Sequence, residues 1–221
     1  MLRQTMLLVV LFSLCMVVVP ASAGVDQAKV AKLRELAEQG NAEDQFSLGA
    51  IYHEGEGVPQ DYAEAAKWFR KAAEQGNAKA QFSLGLMYHY GQGVPQDYAQ
   101  EVKWFHKAAE QGNAEAQWRL GFLYYSGKCI PQDYAKALKW GREAAEQGNA
   151  EAQTMLGFMH EDGEGVPQDY VQAHMWFNLS AAQGQSTAKD ERDRVAKRMT
   201  PSQLAEAQRL AREWKPKGQD R

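Results

Sequence analysis

Two histidines, His53 and His89, stand 36 residues apart, and His160, Glu161 and Asp162 are consecutive. Imidazoles joined by a carboxylate such as Glu54 are the makings of a metal site. Ser47 and Ser83, spaced by the same interval, raise acyl transfer, which needs a serine within reach of a base. Neither chemistry assembles easily. Consecutive helical residues do not face one another, so His160, Glu161 and Asp162 diverge. His53 and His89 would sit on neighbouring helices with axes about 10 Å apart. Ser47 and Ser83 recur, yet no Ser-x-x-Lys or Gly-x-Ser-x-Gly signature is expected to go with them anywhere in the chain. The expectation is a non-catalytic chain with no metal and no cofactor.

The 36-residue interval belongs to the whole chain. The stretch from Gly76 to Gly112 recurs from Gly40, Gly112 and Gly148, each copy carrying QGN, an apolar run, Leu-Gly, a glycine loop ending in PQDY and a tryptophan. A period of this size signals stacked supersecondary units. Four repeats follow, at 41–76, 77–112, 113–148 and 149–184, flanked by caps at 24–40 and 185–221.

Each unit reads as two helices. Asn41, Asn77, Asn113 and Asn149 are N-caps for the first, and Asp61, Asp97, Asp133 and Asp169 for the second. Glu64, Gln100 and Gln172 suggest capping boxes, a pattern that Lys136 breaks. Leu48, Gly49 and Tyr52 recur as Leu84, Gly85, Tyr88 and as Leu120, Gly121, Tyr124; the fourth copy has Leu156, Gly157, His160. A mid-helix glycine costs about 1 kcal/mol against alanine, so its recurrence implies a neighbour too close to admit a Cβ. Trp68, Trp104, Trp140 and Trp176 read as packing residues.

The third copy departs most. Cys129 stands where the other copies have a turn glycine, with strain of roughly 1–3 kcal/mol if φ is positive there. Gly141 replaces the aromatic of Phe69, Phe105 and Phe177, leaving a void unless Trp118 or Phe122 fills it. In the C-terminal cap Arg192-Asp193 replaces Leu-Gly, and Thr200-Pro201-Ser202-Gln203 starts a last helix.

Residues 1–23 have the grammar of a secretory leader: Arg3, an uncharged apolar run from Met6 to Val19, and Ala21-Ser22-Ala23. The expected product is exported, periplasmic or secreted, and keeps Cys129 as its one cysteine, available only for a link between chains. With 25 basic and 28 acidic side chains the chain is no nucleic-acid binder. Residues 187–221 carry 10 basic and 6 acidic groups, which raises contact with an anionic envelope surface or glycan.

The pattern AxxxLGxxYxxGxGVPxDYxxAxxWxxKAAEQGN, read from Ala80 to Asn113, resembles the Sel-1-like repeat family, relatives of tetratricopeptide repeats. The resemblance spans residues 37–184. It implies an all-α, right-handed superhelical solenoid serving as a scaffold or adaptor for a protein or peptide partner. Relatives with paired cysteines in each repeat have been linked to penicillin binding or weak β-lactamase activity, and those cysteines are missing here. The resemblance also implies that the first helices line the concave face. Residues there that vary between copies are then the candidate partner-binding set. Repeat one supplies Glu43, Phe46 and His53, and repeat two Lys79, Phe82, Leu86 and His89. Repeat three supplies Trp118, Phe122 and Tyr125, and repeat four Phe158 and Glu161. Phe46, Phe82 and Trp118 have the competing reading of packing on the stack.

Overall fold

The computed structural model describes residues 27–217; the leader expected over 1–23 lies outside the described residues. Described residues form eleven α-helices: α1 (Gln27–Glu38), α2 (Ala42–Glu54), α3 (Tyr62–Glu74), α4 (Ala78–Tyr90), α5 (Tyr98–Glu110) and α6 (Ala114–Ser126), then α7 (Tyr134–Glu146), α8 (Ala150–Asp162), α9 (Tyr170–Ala182), α10 (Ser186–Ala196) and α11 (Pro201–Glu213). The pairs α2/α3, α4/α5, α6/α7 and α8/α9 are the four repeats, stacked in order. The first helices α6, α8 and α10 also touch one another directly. The second helices α7 and α9 stand further apart, so at this end of the stack the first helices occupy the inner side of the curve.

The PQDY turn divides its work residue by residue. Gln60, Gln96, Gln132 and Gln168 donate side-chain N–H groups to the carbonyls of His53, His89, Tyr125 and Glu161, at 2.6–2.8 Å. These are last-turn carbonyls that a helix leaves unpaired. The aspartates then accept backbone N–H groups of the helix that follows, as Asp61 does from Ala63 and Glu64. The reciprocal arm expected from Glu64 is absent, because its carboxylate pairs with Lys67 instead. Of the described helices only α11 has a full capping box, between Thr200 and Gln203.

A buried glutamine ladder runs through the stack. Gln45, Gln81, Gln117 and Gln153 are each at most 5% exposed. Each donates to a carbonyl closing the helix before it, Ala37, Ala73, Ala109 or Ala145, at 3.0–3.2 Å. Each accepts from Gln75, Gln111, Gln147 or Gln183 at the end of the helix after it, at 2.7–2.9 Å. Both ends of the amide are thus satisfied, the condition for a polar group in a core.

The mid-helix glycines answer to the aromatic of the partner helix. A Cβ on Gly49, Gly85 or Gly157 would lie 2.6, 2.6 or 2.4 Å from the ring of Phe69, Phe105 or Phe177. In the third repeat Gly121 faces Gly141, and neither of the fillers expected from sequence occupies the vacated place. Met155 of the next repeat does: a Cβ on Gly141 would lie 2.4 Å from its Cε. Thioethers are flexible enough to fill irregular gaps. The substitutions at positions 141 and 155 compensate one another across a repeat boundary.

Cys129 adopts φ 70°, beside 73°, 68° and 73° at Gly57, Gly93 and Gly165. At Gly93 and Gly165 the loop lies against the tyrosine of the preceding repeat. A Cβ would come within 2.0 Å of the Tyr62 carbonyl oxygen at Gly93, and within 2.8 Å of Tyr134 Cβ at Gly165. A cysteine cannot approach Tyr98 in that way, and Tyr98 is 40% exposed. The loop also loses a closing bond. The N–H groups of Glu56, Gln92 and Glu164 reach Ile51, Met87 and Met159 carbonyls, whereas Lys128 N–H reaches only the Ser126 hydroxyl, at 3.4 Å. Cys129→Gly is expected to stabilise the protein by about 1 kcal/mol. Urea midpoints measure this; an unchanged midpoint, or an equal gain from Cys129→Ala, would refute strain at this residue.

Stacking ends differently at the two sides. Helix α1 buries Val30 and Ala37 against the first repeat. Helix α10 takes the place of a fifth first helix, burying Ala188 and Val195. Helix α11 packs on α9, setting Trp214 edge-on to Trp176 at 6.5 Å. The chain then returns to α7, where Lys217 N–H donates to the Glu146 carbonyl at 2.6 Å.

Candidate functional site

The first two repeats spend their inner-face aromatics on packing. Phe46 stands 5.6 Å from Phe69 and Phe82 is 5.5 Å from Phe105, centroid to centroid. His53 sits against Tyr62 at 5.2 Å. Glu43 accepts from Asn77 Nδ2 at 2.8 Å and pairs with Lys79 at 3.5 Å. His89 lies 3.0 Å from Glu101, a carboxylate only 2% exposed where the other repeats have alanine. His53 and His89 thus have separate partners. Among the described residues no three His, Cys, Asp or Glu side chains are placed to share a metal.

Between repeats three and four the inner face opens. Gly141 provides no ring for Trp118, which leans towards Phe122 at 6.3 Å. Thr154 stands where repeats one and two have Phe46 and Phe82, its hydroxyl held by Ser180 at 2.7 Å. With Thr154 in place of a ring, and Met155 rather than an aromatic filling the space beside Gly141, a groove of about 430 Å³ is open here. Trp118, Phe122 and Tyr125 form one wall and Met155 and Phe158 the other, with Glu151, Gln185 and Thr187 at the edge. The corresponding groove between repeats one and two, with Phe46, Ala50, His53, Ser83 and Leu86 at matching positions, still has Phe69 in it and measures about 200 Å³. Phe122 is 41% exposed. Burial, with the Glu164 carboxylate beside it, holds the Tyr125 hydroxyl above the ordinary phenol range, so the ring lines the groove uncharged.

Glu161 does not line this groove. It is 2% exposed, accepting from Arg194 at 2.6 Å and facing Arg198 at 3.5 Å. Where the other repeats have His53, His89 and Tyr125, the fourth has an anchor for α10. Three arginines of the basic tail are paired as well: Arg194 also with Glu191, Arg192 with Asp193, and Arg209 with Glu206 and Glu213.

Two buried histidines lie near this end of the stack. Burial pushes His160 below its ordinary pKa, with Asp169 opposing and Arg142 adding to the shift. Burial, then Arg192, lowers His174, against a small opposing effect of Asp193. The Nδ1 atoms of both have no partner among the described residues. Both rings therefore take up a proton less readily in the fold than in the unfolded chain, which protonates them near pH 6.5. Below that pH the unfolded state binds more protons, so stability falls on acidification, by at most about 1.4 kcal/mol per pH unit for each histidine. His160→Tyr/His174→Leu restores residue types of the earlier repeats. It is expected to flatten the fall in Tm between about pH 7.5 and 5.5; an equally steep fall would exclude these two rings as its source.

Contrary to the expectation that the chain has no Ser-x-x-Lys signature, one lies beyond the repeats. Ser186 and Lys189 have Ser-x-x-Lys spacing in the first turn of α10. Both side chains are exposed, and no hydrogen bond joins them. A nucleophile needs its base within hydrogen-bond reach, so this pair as it stands is not an acylation centre.

A family model for the Sel1 repeat matches residues 42–77, 78–113, 114–149 and 150–185. Among solved structures, the chain is similar to c5321, a protective antigen of uropathogenic Escherichia coli with an SLR fold. Identity there is 43% and the TM-score 0.69, over 72% of this chain and 34% of that one. It is also similar to a Sel1 repeat protein from Oxalobacter formigenes, at 38% identity and TM-score 0.70, over 75% of this chain and 48% of that one. The chain therefore spans less than half the length of these two proteins. No curated protein matches the chain.

Proposed function

Because the chain belongs to the Sel1 repeat family, we propose that it is a non-catalytic binding scaffold of an exported protein, gripping an extended peptide segment of a protein partner on its inner face. The groove between repeats three and four is the seat of recognition. The observation that carries this reading is the doubling of the groove where Gly141 and Thr154 replace aromatics. Rigid aromatic walls give large contact area at small entropic cost, which suits a peptide anchor. The candidate set contracts accordingly to Trp118, Phe122, Tyr125 and Phe158, while Phe46 and Phe82 serve the framework.

The test is a variant that closes the groove and keeps the fold. Gly141→Phe/Met155→Ser recreates the Phe69 and Ser83 arrangement of repeats one and two. In crosslinking from the native envelope, specific partners of the wild type are expected to be lost with this variant, while its circular dichroism stays unchanged. Undiminished recovery of the same partners would defeat the proposal.

A further inference from the structure

The charge at the groove edge narrows the partner. In each repeat one inner-face position near the start of the first helix bears a charge: Glu43, Lys79, Glu115 and Glu151 in order. Between repeats one and two the signs are opposite, and Lys79 pairs with Glu43 at 3.5 Å. Between repeats three and four both are carboxylates. Glu115 accepts from Asn149 Nδ2 at 2.9 Å and Glu151 from Gln185 Nε2 at 2.9 Å. Among the described residues no cation pairs with either. Arg119 does not serve them, as its guanidinium lies over the Trp118 ring at 4.5 Å. Glu151 is the one charged side chain among those lining the groove.

We propose that this groove selects a peptide segment in which a bulky apolar side chain stands beside a lysine or arginine. The inference rests on the inner-face reading above. The apolar side chain enters between Trp118, Phe122 and Phe158, and its cationic neighbour reaches Glu151 and Glu115. The cation supplies what Lys79 supplies in the first joint, now from the partner. A like-charged pair at an interface disfavours acidic partners as strongly as it favours basic ones.

A random dodecapeptide library displayed on phage, selected against the full-length protein, tests this. The expected consensus has Phe, Trp or Leu within two residues of Lys or Arg. A synthetic peptide of that consensus is expected to lose about tenfold in affinity on Glu151→Lys, which installs the residue repeat two carries, and to bind more weakly as salt rises. It is also expected to lose binding to Gly141→Phe/Met155→Ser. A neutral or acidic consensus, or indifference to Glu151→Lys, overturns the cation requirement; if the closed-groove variant still abolishes binding, the inner-face reading stands without it. Binding that survives groove closure removes the inner-face reading itself. A selection that enriches nothing overturns the proposal.

Discussion

Gly141→Phe alone is expected to destabilise the protein by about 1–3 kcal/mol, and Met155→Ser alone by about 2–4 kcal/mol, yet the two together by far less than their sum. The geometry sets the sign of each effect. A Cβ at position 141 would already lie 2.4 Å from Met155 Cε, so a whole ring has nowhere to go while the thioether is present. Removing the thioether alone empties a place lined by Gly121 and Gly141 and leaves a cavity beside Leu156, which is fully buried. Made together, the ring can lie over Gly121 as Phe69 lies over Gly49, and the serine can sit beside it as Ser83 does beside Phe69. A double-mutant cycle on urea midpoints should give a favourable coupling of about 2–3 kcal/mol, the upper range for residues in contact. Additive effects would mean that Met155 does not occupy the place of the missing ring. Since the double variant is also the closed-groove probe, its measured stability separates loss of binding from loss of fold.

That pair marks the boundary of what one sequence discloses. The 36-residue period exposed the stack, the Asn and Asp caps and the glycine–aromatic contacts, because each is a local rule repeated four times. Cys129 was legible for the same reason, as a departure from a position whose backbone requirement the other copies reveal. Met155 was not, because its partner lies fourteen positions back in another repeat and its own equivalents, Ser47, Ser83 and Arg119, fill no such gap. The glutamine ladder was also hidden. A glutamine inside an alanine-rich helix reads as surface until the carbonyls of the preceding helix are known to end against it. In the site, Trp118 and Phe122 were identifiable by residue type, but their exposure depends on Gly141 and Thr154 acting together. Glu161 was misjudged because its partners fall in α10, where the repeat pattern has already failed. There the apolar framework no longer specifies the joint, and a buried charge takes its place.

Arg194→Ala/Arg198→Ala follows from that joint, with an expected loss of about 3–5 kcal/mol, the cost of leaving a buried carboxylate without its counter-charge. Glu161 is 2% exposed, while the arginine side chains are each 50% exposed. The asymmetry matters: cut the pair on the carboxylate side and the guanidinium groups hydrate, Arg194 keeping Glu191 at 2.5 Å. Cut it on the arginine side and Glu161 stays in place under α10, with only the exposed Gln168 donor next to its backbone carbonyl. Glu161→Tyr, the residue type of repeat three, is therefore expected to cost much less, and to rescue most of the loss when added to the double arginine variant. Amide exchange would locate the damage, since α10 packs on α9 and should lose protection before α2 to α7. Equal costs for Glu161→Tyr and for the arginine variant would show that the joint is held by its apolar contacts at Ala188 and Val195 instead. If α10 does loosen first, Gln185 and Thr187 leave the edge of the groove with it. Partner affinity would then fall in step with α10 protection, coupling the anchoring of the cap to recognition between repeats three and four.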